Sequence, residues 1–335
     1  MRSEIRSGLP DRLTLHRLAK GGDTHSFAAD VRAGLTAEKK YLAPKYFYDE
    51  LGSRLFEAIC ALPEYYLTRA ESEILRDHAD QIVAAVPTPA RIVELGSGSA
   101  EKTRYLIEAM LHRQERLHYL PVDISDESLE RSCSELLHLY PRLHITAYAA
   151  DYFTALKSLV RANAGERTIA LFLGSNIGNF DEQESRVFLR EVRQVLQAED
   201  GLLLGADLKK SAAVLIPAYD DALGVTAAFN RNLLVRINRE LDANFNIEKF
   251  RHRAFYNEAQ GRIEAHLVSV GDQRVQIGAL DREITFAEGE SIHTENSYKF
   301  DIEQLSMLAQ ETGFALQQSW FDKARRFSFN FFAAA

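Results

Sequence analysis

Residues 91–104 read RIVELGSGSAEKTR, from Arg91 to Arg104. An apolar run, Ile92-Val93-Glu94-Leu95, meets a glycine turn, Gly96-Ser97-Gly98-Ser99. Tyr105, Leu106, Ala109 and Met110 follow at helix-compatible spacing. A strand, a tight turn and a helix in that order open a βαβ unit, whose helix N-terminus favours a ligand's anions. Gly96 and Gly98 free the turn in φ and let backbone come close to a bound molecule. Many strand-to-helix turns carry two glycines, however. The third glycine of the dinucleotide fingerprint is replaced here by Ser99-Ala100, so the turn alone names no ligand.

Downstream the same rhythm repeats. His118–Asp123 (HYLPVD) is a short apolar run ending in an acid, and Ser128–Leu139 has helical spacing at Leu129, Cys133, Leu136 and Leu137. His144–Ala150 is closed by Asp151-Tyr152, and Thr168–Leu173 by Gly174-Ser175-Asn176-Ile177-Gly178-Asn179. Asp181 and Glu184 stand at capping-box spacing before a helix with Phe188, Val192, Val195 and Leu196 on one face. Gly201 ends it and Leu202–Asp207 is the next strand. This alternation predicts a parallel sheet covered by helices on both faces. A helix over Ile302–Thr312 and a strand over Phe327–Phe332 return to that sheet.

Two stretches stand outside the rhythm. Between Phe27 and Leu75 aromatics crowd in (Tyr41, Tyr46, Phe47, Tyr48, Phe56, Tyr65, Tyr66), most of them explicable as a local core under short helices. Tyr65 and Tyr66, in Leu62-Pro63-Glu64-Tyr65-Tyr66, sit at a proline-marked turn, where aromatic faces make good walls for a small ligand or a cation. From Lys209 to Tyr298 a helix near Thr226–Leu241 precedes strand-like runs at Ile263–Val270 and Val275–Leu280. That is too much chain for a loop and reads as an inserted second domain. The expected division is a sheet domain over 69–207 and 300–335, a substrate domain over 17–68 and 208–299, and a mobile lead over 1–16.

The chain has 335 residues, 46% hydrophobic and 26% charged, as expected of a globular protein with a substantial core. A net charge of −8 argues against nucleic-acid binding. The two cysteines, Cys60 and Cys133, form no ligand pattern, which reads as a reduced, cytoplasmic protein, though one disulfide stays open. The charged N-terminus is neither signal peptide nor anchor, and nothing reaches a transmembrane length. A cytoplasmic monomer without nucleic-acid or membrane partners is expected.

In a doubly wound sheet the strand ends line one crevice. Glu94 precedes the glycine turn, Asp123 ends the second strand, Asp151 the third and Gly174 lies after the fourth. One acid at a strand end is usually a helix cap; three successive ends with this pattern favour a nucleoside. A nicotinamide dinucleotide wants a complete phosphate-binding turn. S-adenosylmethionine, which has no phosphate and is held by ribose, adenine and amino-acid tail, suits these acids and the Asp151-Tyr152 pair better. Lys102 is placed to reach a cofactor carboxylate, or else to be a solvated helix charge. No metal is expected: the ten histidines are scattered, and neither His-Glu-x-x-His nor paired Cys occurs. His293 with Glu295 suggests a catalytic pair, but such loop polars are more often hydrogen-bond formers. No Gly-x-Ser-x-Gly elbow marks a hydrolase.

Several long stretches are together specific: PKYFYDELGSRLF (Pro44–Phe56), LPEYYLTRAE (Leu62–Glu71), VELGSGSAEKTR (Val93–Arg104), FLGSNIGNF (Phe172–Phe180), AYDDALGVTAAFNRN (Ala218–Asn232) and TENSYKF (Thr294–Phe300). From about Val31 to its C-terminus the chain resembles the histidine-specific N-α-methyltransferases of the ergothioneine pathway. The resemblance implies a Rossmann-like, seven-stranded class I methyltransferase sheet with an inserted α+β substrate domain. It implies trimethylation of the histidine α-amine by S-adenosylmethionine, giving hercynine. Gly96, Lys102, Asp123, Asp151 and Tyr152 would hold the methyl donor. Tyr65, Asn179 and Tyr219 would hold the substrate's amino and carboxylate groups, and Glu295 and Ser297 the imidazole. Tyr48, Phe56 and Gly174 would shape the space around the amine. In Arg262-Ile263-Glu264-Ala265-His266-Leu267, relatives can carry methionine where this chain has Ala265, which puts strict histidine preference in question. The same chemistry on tryptophan or tyrosine, a non-catalytic nucleoside sensor and a nicotinamide oxidoreductase are the alternatives.

Overall fold

The structure, a computed structural model, describes residues 12–18, 24–161 and 166–335. It divides into two compact units: Met1–Gly21, Arg69–Leu208 and Phe300–Ala335 in the first, Gly22–Thr68 and Lys209–Lys299 in the second. In chain order the strands are β1 (Leu13–Arg17), β2 (Ala90–Leu95), β3 (Leu117–Asp123), β4 (Leu143–Ala149), β5 (Arg167–Phe172), β6 (Gly201–Asp207), β7 (Phe250–Asn257), β8 (Arg262–Ser269), β9 (Gln273–Ile277), β10 (Arg282–Phe286), β11 (Ser291–Tyr298), β12 (Phe314–Phe321) and β13 (Phe327–Ala334).

The first unit is built on one sheet of order β1-β4-β3-β2-β5-β6-β13-β12, in which β13 runs antiparallel to both β6 and β12 and the others are parallel. Every residue of β2 and β6 is buried, as strands covered by helices on both faces require. Gly201 and Gly205 in β6 face the rings of β13, and a Cβ on Gly201 would stand 2.1 Å from Phe331 Cζ. The helix Glu182–Val195 has the expected capping box between Asp181 and Glu184, and buries Phe188, Leu189, Val192 and Val195. Sheet order reverses at β2, whose neighbours β3 and β5 follow it in the chain. The C-terminal end of β2 is therefore a topological switch point.

The structure departs from expectation in two respects. Seven strands of the sheet are those of the class I arrangement, and β1 adds an eighth at the β4 edge, pairing Leu13 with Ile145 through Arg17 with Ala149. Arg12 donates to the carbonyls of Leu137, Tyr140 and Leu143, and Arg17 pairs with Asp126 and Glu130. Residues 12–17 are thus part of the first unit and not a loose lead, because alternating Leu13 and Leu15 with three polar partners suits a half-covered edge strand. Residues 1–11 of that lead lie outside the described residues.

In the second unit β7, β8 and β11 form an antiparallel sheet of order β11-β8-β7, and β9 pairs with β10. The helix Val225–Leu241 packs on β7 and β8 and against the helix Glu50–Ala61. Asp49 caps the latter by accepting from Gly52 N at 2.8 Å, and also accepts from Asn232 and Arg239 at 2.7 Å. The run Val275–Leu280 is shorter than expected as a strand: β9 stops at Ile277 and a turn follows. Cys60 and Cys133 are free thiols. No helix among the described residues is long and apolar enough to cross a membrane.

Candidate active site

At the end of β2 the chain turns through Gly96 and Gly98, both with positive φ (78° and 50°). Gly96 is also a close approach, since a Cβ there would lie 2.8 Å from Tyr152 Oη and 3.2 Å from Asn176 Nδ2. The N–H groups of the turn are largely spent on the protein itself. Those of Gly96 and Ser97 donate to Val122 O (2.8 and 3.2 Å), that of Ala100 to Ser97 O (2.9 Å), and that of Gly98 to Asp123 Oδ2 (2.8 Å). A turn wired this way offers little to a pyrophosphate, which needs such groups aimed outward. Asp123 accepts from Ser125 N at 2.9 Å through its other oxygen. A carboxylate has about four acceptor sites, so this one keeps capacity for two ribose hydroxyls. Burial raises its pKa, opposed by the N–H groups of Ser125 and Gly98.

The remaining strand ends differ in what they do. Glu94 is 2% exposed, with Thr103 Oγ1 at 2.7 and 2.8 Å from its two oxygens and Tyr119 donating its hydroxyl. It ties the start of the helix Thr103–Arg113 to β2 and β3, both of its oxygens accepting from protein hydroxyls. Burial lifts its pKa to about 7 against those hydrogen bonds. Asp151 caps the helix Tyr152–Arg161, accepting from Thr154 N (3.0 Å) and Thr154 Oγ1 (2.7 Å). Tyr152 lies edge-on to Phe172 at 5.5 Å, and burial raises its pKa so that it stays a phenol. Gly174, with φ of 71°, donates its N–H to Glu71 Oε1 at 2.6 Å, and Glu71 Oε2 takes the ammonium of Lys102. Glu71, 1% exposed, is a site residue the motif reading missed; it is visible in sequence only as the last acid of LPEYYLTRAE. Asn179 is half-buried at the end of the turn Asn176–Asn179.

In the second unit the expected aromatic residues gather. Tyr48 meets Phe56 edge-on at 5.6 Å, Phe56 meets Tyr65 at 6.2 Å, and Tyr65 meets Tyr219 at 6.3 Å. Phe229, not singled out from sequence, joins them at 5.8 Å from Tyr48 and 5.9 Å from Phe56. Burial, with the nearby Tyr219, Cys60, Tyr48 and Glu295, holds Tyr65 well above the usual phenol pKa. Tyr219 Oη and Ser297 Oγ are 2.8 Å apart, and buried Lys299 donates to both at 2.8 Å. Lys299 is the second residue missed, although TENSYKF contains it. His252 Nε2 lies 2.8 Å from the Tyr219 carbonyl and its Nδ1 2.8 Å from Asn230 Nδ2, so an N–H donated to Tyr219 O and an acceptor for Asn230 fix the ring.

Glu295 and Ser297 lie on the face of β11 that meets Ala265 and Ile263 of β8. No described residue donates a hydrogen bond to the Glu295 carboxylate, and burial raises its pKa to about 7 against the opposing charge of Lys299. A bulge between His293 and Glu295 shifts the alternation of β11, turning His293 to the other face with His266. The two therefore do not form a catalytic pair.

These features, a glycine turn with its N–H groups largely spent and an aromatic cluster near a carboxyl to which no described residue donates, occur in a chain that matches one family. That described as histidine-specific, SAM-dependent methyltransferases matches residues 27–334. The chain belongs to it. The histidine N-alpha-methyltransferase of Mycolicibacterium smegmatis is 42% identical over 310 residues, covering 92% of this chain and 95% of the relative. Ergothioneine biosynthesis protein 1 of Schizosaccharomyces pombe is 28% identical, covering 80% of this chain and 36% of its own. The 4-dimethylallyltryptophan N-methyltransferase of Claviceps purpurea is 26% identical, with 88% and 91% covered. Membership makes the chain an S-adenosylmethionine-dependent methyltransferase, and the spent N–H groups of its glycine turn agree with a donor that lacks phosphate.

Proposed function

We propose that this methyltransferase moves three methyl groups to the α-nitrogen of L-histidine, giving hercynine, the opening reaction of ergothioneine synthesis. The observation that carries the reading is the Glu295 carboxyl: half-buried, without a donor among the described residues, and beside Ser297 on the same strand face. An ionised carboxylate only accepts, so it selects a side chain with ring N–H donors. Ser297, held by Tyr219 and Lys299, supplies a hydroxyl of fixed position beside it.

Bound S-adenosylmethionine supplies an electrophilic methyl on a sulfonium. Asp123 receives ribose hydroxyls, Tyr152 and Gly96 bound the nucleoside space, and Asp151 and Lys102 complete the expected set. The roles implied for Tyr65, Asn179 and Tyr219 toward the substrate's amino and carboxylate groups belong to the same proposal. In each cycle the neutral amine must be aimed at the methyl with its lone pair in line, and a proton leaves the nitrogen before each attack. Holding that alignment supplies much of the acceleration. As methyls accumulate the nitrogen gains fixed charge, and the faces of Tyr48, Phe56 and Tyr65 suit a cation.

The test is incubation with the methyl donor and a mixture of amino acids, read by mass. Histidine alone should gain three methyl groups. Methylated tryptophan or tyrosine in comparable yield would replace the proposal with the second reading, which the small side chain of Ala265 beside Glu295 favours. Cofactor binding with no product would leave the nucleoside sensor.

A further inference from the structure

The strand pair that carries Ala265, Glu295 and Ser297 on one face carries a different set of groups on the other. His266 of β8 stands opposite His293 of β11, and Glu264 opposite Asn296. Residues 264 and 266, two apart on a strand, share a face. On β11 the bulge brings His293 and Asn296, three apart, to that same face. One ligand atom from each of Glu264, His266 and His293 lies within 4.8 Å of the other two. The two imidazoles meet at 5.1 Å, and Glu264 Oε2 is 3.3 Å from His266 Nε2.

The surroundings orient this set. Arg262 (2.9 and 2.8 Å) and Asn257 (2.8 Å) both donate to Glu264 Oε1, leaving Oε2 turned to the histidine. Phe255 stacks on His266 at 5.4 Å, and Asn296 Oδ1 lies 2.9 Å from His293 Nε2. Outer partners that fix the ring and the carboxylate are what a metal centre needs.

We propose that Glu264, His266 and His293 form a binding site for a divalent, imidazole-seeking transition metal of the Zn2+ or Cu2+ kind, with solvent completing the coordination. Two imidazoles and one carboxylate are a borderline ligand set. A single carboxylate paired with Arg262 is a poor site for Mg2+ or Ca2+, which need several oxygens and negative charge. A bound ion would cross-link β8 and β11 behind the substrate-facing residues.

Calorimetric titration of the full chain with ZnCl2, after treatment with a chelator, tests this, together with the visible spectrum of the Co2+ form. One Zn2+ per chain is expected, insensitive to excess Mg2+. His293→Ala and His266→Asn should each weaken binding by about 10-fold or more. His112→Ala, at an exposed histidine of the other unit, should leave it unchanged. Zn2+ should raise the Tm of the wild type and not that of His293→Ala. If alanine at 293 compromises folding, His293→Gln replaces it, keeping a polar side chain of similar reach. Absence of stoichiometric binding, or equal affinity in wild type and the cluster variants, overturns the proposal.

Discussion

Buried Ala265 of β8 and half-buried Glu295 of β11 stand directly opposite one another on one face of the sheet. Side chains so paired have Cβ atoms about 5 Å apart, so the size of residue 265 sets the space beside the carboxyl. Ala265→Met should fill that space and penalise larger side chains more than imidazole. The ratio of kcat/KM for histidine to that for tryptophan should rise by about 10-fold or more. An unchanged ratio would mean that residue 265 does not border the ring.

Glu295 is predicted to make histidine binding pH-dependent. Its pKa is raised to about 7 by burial, with Lys299 opposing, so the accepting form is populated only as pH rises through that value. The Kd for histidine should tighten between about pH 6 and 8. Glu295→Gln should flatten this dependence and weaken histidine by about 5–150-fold, the equivalent of about 1–3 kcal/mol for an unpaired buried donor. Affinity for S-adenosylmethionine should hardly change; an equal loss of both would count against the assignment. Lys299→Met removes the opposing charge and should move the midpoint upward.

Glu71 bridges the Lys102 ammonium and the Gly174 N–H. Glu71→Gln can keep the acceptor for Gly174 but loses the ion pair. We expect KM for S-adenosylmethionine to rise several-fold and Tm to fall, since removing one partner strands the other charge. The KM for histidine should change less, which separates this role from general destabilisation.

Glu94 should set part of the pH dependence of stability. Its folded pKa of about 7 lies above the usual carboxyl value, so between about pH 4.5 and 7 the folded state binds a proton that the unfolded state has lost. Stability from this group is complete below that window and is lost as pH rises through it, at about 1.4 kcal/mol for each pH unit crossed. Glu94→Gln removes this dependence. Relative to wild type its Tm should therefore rise from pH 5 to about pH 7 and level off above it, as followed by thermal unfolding at each pH.

The sequence by itself determined the alternating sheet, the glycine turn at the end of β2 and the acids at the strand ends. Those signals are local: apolar runs fully buried on both faces, a turn needing positive φ, a capping box three residues apart. It also carried the inserted segment, whose length no loop explains. The stretch from Leu13 to Arg17 escaped because five residues of an edge strand hold no period of their own; only pairing with β4 defines them.

Tertiary structure alone decided which polar groups meet. Glu71 reaches Lys102 and Gly174 from a helix far away in sequence, and Lys299 reaches Tyr219 across 80 residues. Nothing in spacing encodes such pairs. The bulge before Glu295 is the sharpest case: one extra residue sends His293 to the opposite face, dissolving a pair that the string HTENS suggests. It gathers instead two histidines and a glutamate that read as scattered. Strand pairing is non-local, and a single register shift reassigns every side chain to its face.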